Sequence, residues 1–440
     1  MIEEKTAAQY LIRHHNVSVE KEATEYLMSL GVPEHYAKIW GQSGGKRQAT
    51  LWTAAGLSPR LPAQKDAAEV QKLQNEYSYE GPTREEFPGI SAFPHAESEI
   101  LPQLFLWEVH RRIAEQRTIV AWCLNSAEGF TESEISDALR ALIREVIREA
   151  ENQGACVVKA ACMPQDHILR HIVETEEFTQ LADPLRAFSA AAKQEGRILP
   201  TGWIRPCQGL SIDECGISIA PPYERQQSDF TCGPASLIMA LNSEEFLGTA
   251  AATTSDHFAD TYRGGGFAAE MKIWRQATYT YGSGHYGLTA VAASLGVPVL
   301  VKSSAPGPLI GCEAPHTMVD TFLRQKIYDD HRKIALEAGA QEYIGPLSCT
   351  DMSDALREGK RVILLVDLQP LNGEDVPHWI LVWREIPDFY FIHDSWCDEN
   401  EGELWVETAY MPVAARKLWD ECASWSEKPG SNRERAMIIL

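Results

Sequence analysis

Apolar residues recur at helical spacing over about residues 3–60, as in Lys5–Ile12 (K-T-A-A-Q-Y-L-I) and Ala23–Met28 (A-T-E-Y-L-M). Ser43–Lys46 and the polar stretch Tyr77–Arg84 read as connections. The pattern then predicts a helix over Leu101–Gln116, a strand over Thr118–Leu124, and a long amphipathic helix over Glu132–Asn152. A strand over Ala155–Ala161 and a further helix after Pro164 follow. Strand, helix and strand in that order indicate an α/β unit. Further on, Ala235–Leu241 is almost wholly apolar and reads as a buried helix. Glu270–Gly296 reads as a helix carrying Trp274, a glycine-rich turn at Gly282–Gly287 and a second helix from Leu288. Arg361–Leu368 has the look of a buried strand, and His378 opens another that runs through Trp383. A short turn over Ile386–Asp388 leads to a third strand, Phe389–His393, which ends at Asp394. Strands joined by so short a turn form an antiparallel pair, bringing the start of one beside the end of the other.

The expected architecture is α+β in three parts: a helical N-terminal region (1–85), an α/β domain (86–216) and a domain that carries the chemistry (217–440). A chain of 440 residues exceeds one typical core, in keeping with this division. Lys and Arg number 40 against 62 Asp and Glu, a net charge of −22. That balance argues against nucleic acid or an anionic membrane as partner and fits cationic peptides. No apolar run reaches membrane-spanning length, and the start M-I-E-E-K-T lacks a signal pattern, so a cytoplasmic location is expected. Ten cysteines are too sparse for a disulfide scaffold, although Cys207 and Cys215 lie close enough in sequence for one bridge. None has histidines at zinc spacing, so neither a metal nor a cofactor is expected.

The informative chemistry lies in Q-Q-S-D-F-T-C-G-P-A-S-L-I-M-A-L, Gln226–Leu241. Cys232 stands where a loop becomes an apolar helix, and unpaired N–H groups with the positive end of the helix dipole favour its thiolate. Gly233 would let the backbone pass close to a substrate, and Pro234 is at ease in a first helical turn. A glutamine six residues ahead, Gln226, is placed to donate to an oxyanion, with Gln227 as the alternative. A thiol nucleophile needs a base on another element. The hairpin supplies His378 at the start of one strand and Asp394 at the end of the next, where the carboxylate can hold the imidazole. His393 is the rival histidine, pointing to the other face, and Asp394 could instead cap a turn. His285, Tyr281 and Trp379 are candidates for substrate contact, with turn or core roles as their alternatives.

These residues resemble the papain-like peptidase C39 family, in particular its stand-alone bacterial members that carry T-C-G-P-A and are joined to an acetyltransferase-like domain. The resemblance extends over Glu270–Gly296. It implies a cysteine-bearing helix packed on an antiparallel sheet, with Cys232 as nucleophile, His378 in P-H-W as base, Asp394 in I-H-D as its partner and Gln226 at the oxyanion. Ser395 departs from the proline common in the family after that aspartate. The nucleophile block also resembles phytochelatin synthase, through Ala235–Leu237 and Leu241-Asn242, which implies transpeptidase chemistry. Ala150–Ala160 (A-E-N-Q-G-A-C-V-V-K-A) loosely resembles the second half of an acetyltransferase-like domain, although Asn125–Thr131 holds only Gly129 where a pyrophosphate loop would be glycine-rich. The expected activity is thiol-dependent cleavage of a peptide or small amide. Two alternatives stay open: transfer of the same acyl group to a second amine, and a non-catalytic peptide-binding module.

Overall fold

The structure, a computed structural model, describes residues 11–17, 23–29, 32, 34, 37, 40, 47–55, 103–125, 130–185, 199–242, 265–278, 281–309, 318–398, 402–426 and 432–440. Two seven-stranded mixed sheets organise them. The first is built from β1 (Leu11–Val17), β2 (Arg47–Ala55), β3 (Leu104–Arg111), β4 (Gln116–Leu124), β5 (Val157–Cys162), β6 (Thr179–Gln180) and β7 (Thr201–Pro206), in the order β1-β2-β3-β4-β5-β7-β6. Only β4 and β5 run parallel in it, over Gln116–Ile119 against Val157–Ala160. The second contains β8 (Leu300–Ser303), β9 (Gln341–Ile344), β10 (Val362–Asp367), β11 (Pro377–Ile386), β12 (Phe389–His393), β13 (Met411–Ala414) and β14 (Ala436–Ile439). Its order is β13-β12-β11-β10-β14-β8-β9, with β8 and β9 the parallel pair.

Two elements differ from the sequence expectation. The region read as helical contains α1 (Ala23–Ser29) but also β1 and β2, and the helix expected over Leu101–Gln116 is instead β3 and the start of β4. For β2 and β3 the cause is burial on both faces. L-F-L-W-E-V-H-R in β3 is buried at nearly every position, so it lacks the alternation that marks a half-exposed strand. The stretches Lys5–Tyr10, Ser43–Lys46, Tyr77–Arg84 and 126–129 lie outside the described residues.

Helix α2 (Glu132–Asn152) begins in a capping box, Thr131 with Glu134, and lays Ile135, Leu139, Leu142, Val146 and neighbouring residues on the first sheet. Each such side chain, fully buried, stabilises by roughly 1.5–3 kcal/mol. Helix α3 (His167–Thr175) packs beside it. In the second half, α4 (Cys232–Leu241) is buried at all ten positions, as an all-apolar helix must be. It packs on β11 and contacts α5 (Phe267–Ala277) and α6 (His285–Ser294). Helix α6 starts three residues earlier than the sequence pattern indicates and takes Gly287 into its first turn. A Cβ there would lie 1.9 Å from the Ala277 carbonyl oxygen, so this glycine serves helix approach. Helix α7 (Met318–Glu337) packs against α6, and α8 (Cys349–Arg357) against β10 and β11.

The two sheets are not separate bodies. One apolar core joins Cys156, Val157, Ala161 and Ile204 of the first sheet region to Leu237, Leu365, Trp379 and Trp405 of the second. On the other side, Ile113 and Ala114, in the β3–β4 turn, enter the core under β10–β13, and Ala114 forms a bridge with Val413. Among the described residues, no helix is long and apolar enough to cross a membrane. The nine cysteines among them are free, Cys207 and Cys215 included.

Candidate active site

The hairpin β11–β12 carries the polar centre. His378 is the second residue of β11, paired with Val366 of β10, and Asp394 directly follows β12. His378 Nε2 donates to Asp394 Oδ1 at 2.8 Å. This leaves Nδ1 outside that bond, and Cys232, at the first position of α4, lies near enough for its charge to act on the ring. Asp394 is fully buried and fully engaged: Oδ1 also accepts from Trp396 N at 2.9 Å, and Oδ2 accepts from Arg111 Nη1 at 2.7 Å.

Electrostatics follow from this placement. Burial alone would lower His378, but the negative charge of Cys232, then that of Asp394, with hydrogen bonds to both, raises it to about 10. Burial would raise Asp394, but the charges of His378 and Arg111 and the hydrogen bonds from His378 and Trp396 hold it down at about 2. The surroundings of His378 therefore favour its imidazolium form over the neutral ring.

The loop before Cys232 is fixed from both sides. Thr231 precedes α4, but its hydroxyl donates to Ser228 O and makes no capping bond to the helix. The N-terminal turn of α4 is thus free of a side-chain cap where an oxyanion would need donors. Gln226 is buried, and its Nε2 donates to Ser228 O at 2.8 Å, using one of two amide hydrogens. Its Oε1 accepts from Ser395 Oγ at 2.9 Å, while its N–H donates to Ser395 O at 3.0 Å. Ser395 therefore ties the loop before Cys232 to the residue after Asp394, and the Ser228 carbonyl, an acceptor only, fixes which end of the Gln226 amide is nitrogen. Gln227 turns elsewhere, with Nε2 on Arg225 O and N on Glu270.

His393 lies on the opposite face. Its Nε2 donates to Pro221 O at 2.8 Å, its Nδ1 accepts from Tyr410 N at 2.9 Å, and burial lowers it to about 3. It is a neutral structural ring. Trp379 belongs to the core, 1% exposed, with its indole N–H on Ser283 O at 2.9 Å, so it presents no face to a substrate. His285 is buried beside Tyr286 and Tyr328, and burial lowers it to about 3. Of the three aromatic candidates, Tyr281 alone is open, at 69% exposure. Its ring lies 5.6 Å from that of Phe230, two residues before Cys232, and Phe230 also meets Trp274 at 5.2 Å. Gly233 does not make room for a substrate: a Cβ there would meet Leu288 Cδ1 at 2.8 Å and Trp379 Cδ1 at 3.2 Å, which makes it a packing glycine.

Sequence reasoning missed Arg111, Ser395 and the Trp396 N–H. Ser395 carried a signal, its departure from proline. Arg111 carried none, because its partner lies 283 residues away. Among the described residues, no three His, Cys, Asp or Glu side chains gather as a metal site would require.

A family model described as the Peptidase_C39 like family matches residues 221–440, half of the chain. No curated protein matches it significantly. Among solved structures, the ribosomal-protein-S18-alanine N-acetyltransferase from Escherichia coli is 7% identical, covering 46% of this chain and 99% of that one, with a TM-score of 0.23. The IAA acetyltransferase from Bacillus cereus is 9% identical over 44% of this chain and 97% of its own, with a TM-score of 0.24. Scores at this level carry no argument about the present chain.

Proposed function

Because the chain belongs to the Peptidase_C39 like family, we propose that its C-terminal half is a papain-like thiol enzyme that cleaves a peptide or small amide through a thioester on Cys232. The observation that carries this reading is the His378–Asp394 pair with Cys232 acting on the same imidazole from the uncapped start of a buried helix. The Cys232 thiolate attacks the carbonyl carbon, and the oxygen takes up the negative charge. The Cys232 N–H and the remaining Gln226 amide hydrogen serve as donors to it. As the tetrahedral centre collapses, the C–N bond breaks and the His378 imidazolium gives its proton to the departing amine. His378, now neutral, then takes a proton from the incoming nucleophile, which displaces the thiolate. With water the product is a carboxylic acid; with a second amine it is a new amide. The rim formed by exposed Tyr281 with half-buried Phe230 and Trp274 would receive an apolar part of the acyl donor.

A reducing, cytoplasmic setting completes the reading, since a thiol nucleophile must stay reduced. The N-terminal sheet is proposed to be an acetyltransferase-like unit that has no acetyl-transfer role of its own.

Intact-protein mass spectrometry after incubation with peptide and amide extracts, quenched in acid, tests the reading. A mass adduct in the wild type that is missing in Cys232→Ala is the expected result. Adding hydroxylamine or a free amino acid then separates the two acceptors by whether hydrolysis or amide product dominates. An adduct persisting in Cys232→Ala would sink the assignment of the nucleophile.

A further inference from the structure

Arg111 stands at the end of β3, in the first sheet, yet both its terminal nitrogens serve the second half of the molecule. Nη1 donates to Asp394 Oδ2 at 2.7 Å, and Nη2 lies 3.4 Å from Glu403 Oε1. The guanidinium is 1% exposed, and burial, which would lower its pKa, is outweighed by the charges of Glu403 and Asp394, so it stays a cation. We infer that Arg111 is a positioning residue for the Asp394–His378 pair, so that competence of the site in the C-terminal half depends on a side chain from the N-terminal sheet.

The geometry of the carboxylate gives the reason. Oδ1 holds His378 and the Trp396 N–H, which leaves Oδ2 with Arg111. Held at one oxygen only, a carboxylate can rotate about its Cβ–Cγ bond and lose alignment with the ring; held at both, it cannot. A buried Oδ2 without this donor would also be an uncompensated charge.

The backbone under Asp394 has the same source of support. Asp394 N donates to Thr408 O at 3.0 Å, and Thr408 ends the one-turn helix Trp405–Thr408. The carbonyls around it are taken by the first sheet: Gln116 Nε2 donates to Glu407 O at 2.7 Å, and the buried Lys159 amine donates to Val406 O at 3.0 Å and to Ala409 O. Glu115 N donates to Pro412 O at 2.9 Å a little further on. Two strands of the first sheet, β4 and β5, and the turn before β4 thus dock on the segment around Thr408, and every one of these donors precedes residue 221, where the family match begins.

The charged and titratable groups around Asp394 are His378 and, behind it, Cys232; Arg111 with Glu403 and Glu407; and the phenol of Tyr223. Removing Arg111 takes away one of the two cations that keep Asp394 ionised. Its pKa then rises, and the pH at which the thiolate–imidazolium pair is lost rises with it.

The inference rests on Cys232 being the thiolate nucleophile, and the test separates the two. Full-length protein is alkylated with iodoacetamide from pH 3.5 to 9, and the rate at Cys232 is read by peptide mass, with exposed Cys349 as internal standard. Each rate is normalised to the folded fraction by tryptophan fluorescence. Wild-type Cys232 is expected to react faster than Cys349 at acidic pH. In Arg111→Gln the acid limb of that profile should move up by about one pH unit or more. Arg111→Lys keeps the charge without the fork and should move the limb by a smaller but measurable amount. Lys159→Met loosens the same junction without touching Asp394 and should leave the limb in place. Profiles of Arg111→Gln or, if that variant does not fold, of Arg111→Lys that superimpose on wild type overturn the inference. So does an equal shift in Lys159→Met, which would make Arg111 one docking contact among several. A wild-type Cys232 no faster than Cys349 in acid overturns the nucleophile reading, and this inference with it.

Discussion

The two sheets have equal strand counts and one parallel pair each, yet they bury charge in different ways. In the second sheet, His378 and Asp394 come from neighbouring strands and meet each other. In the first, Arg111, Gln116 and Lys159 come from neighbouring strands, and each satisfies a group in the other half of the chain. Buried polar groups must find partners. Where the partners are local, the result is the array proposed to be reactive; where they are distant, the result is an anchorage. The difference predicts that substitutions in the second sheet cost rate and those in the first cost stability, with Arg111 standing between the two.

The sharpest separation is expected from Asp394→Asn. The amide keeps the shape but no longer favours the imidazolium, and acylation of Cys232 by p-nitrophenyl acetate should fall on the order of 10³–10⁴-fold. A loss below tenfold would show that His378 needs no carboxylate and would break the comparison from its reactive side. Gln226→Ala should reduce the same rate per folded molecule about 10²–10³-fold and, through loss of its two buried side-chain hydrogen bonds, lower stability in urea by about 1–3 kcal/mol. Equal rates would remove Gln226 from the oxyanion.

Lys159→Met tests the anchoring side. Two buried carbonyls lose their donor, so unfolding by urea should show a loss of about 1–3 kcal/mol, with the acylation rate per folded molecule kept. A rate loss larger than tenfold without loss of stability would blur the two roles.

Proton linkage offers a smaller effect with a definite sign. His378 is raised to about 10 in the folded state, against ~6.5 unfolded. Its contribution is therefore fully present below ~6.5 and is lost as pH rises through about 10. Asp394, depressed to about 2 from ~3.9, contributes above ~3.9 and loses that contribution as pH falls through about 2. The stability gap between wild type and His378→Gln should be widest between roughly pH 4 and 6.5 and shrink toward pH 10 in urea titrations. A gap that widens with pH would contradict the raised value. The smallest expected effect is that of Ser395→Ala, about 1 kcal/mol in stability and less than tenfold in rate, through loss of one hydrogen bond to Gln226.

How much of this could be read from the residues depends on how local the cause was. The β11–β12 hairpin was legible because its apolar runs are bounded by a turn, and a hairpin sets the neighbours of His378 without further information. Helix α2 declared itself through its apolar spacing. The strands β2 and β3 did not, since continuous burial erases their period. Glycine at 287 reads as a turn because a close approach between helices leaves the same mark in sequence as a bend. Arg111 in W-E-V-H-R looks like any strand-end cation, and only the folded chain reveals what it faces.

The apolar core that runs from Val157 and Ile204 into Leu365 and Trp405 has a thermodynamic consequence. Two halves that share one interior cannot melt independently, because opening either exposes the inner surface of the other. Calorimetry should therefore record a single endotherm, and the boundary that sequence similarity draws near residue 221 would be a line of ancestry crossing one cooperative unit.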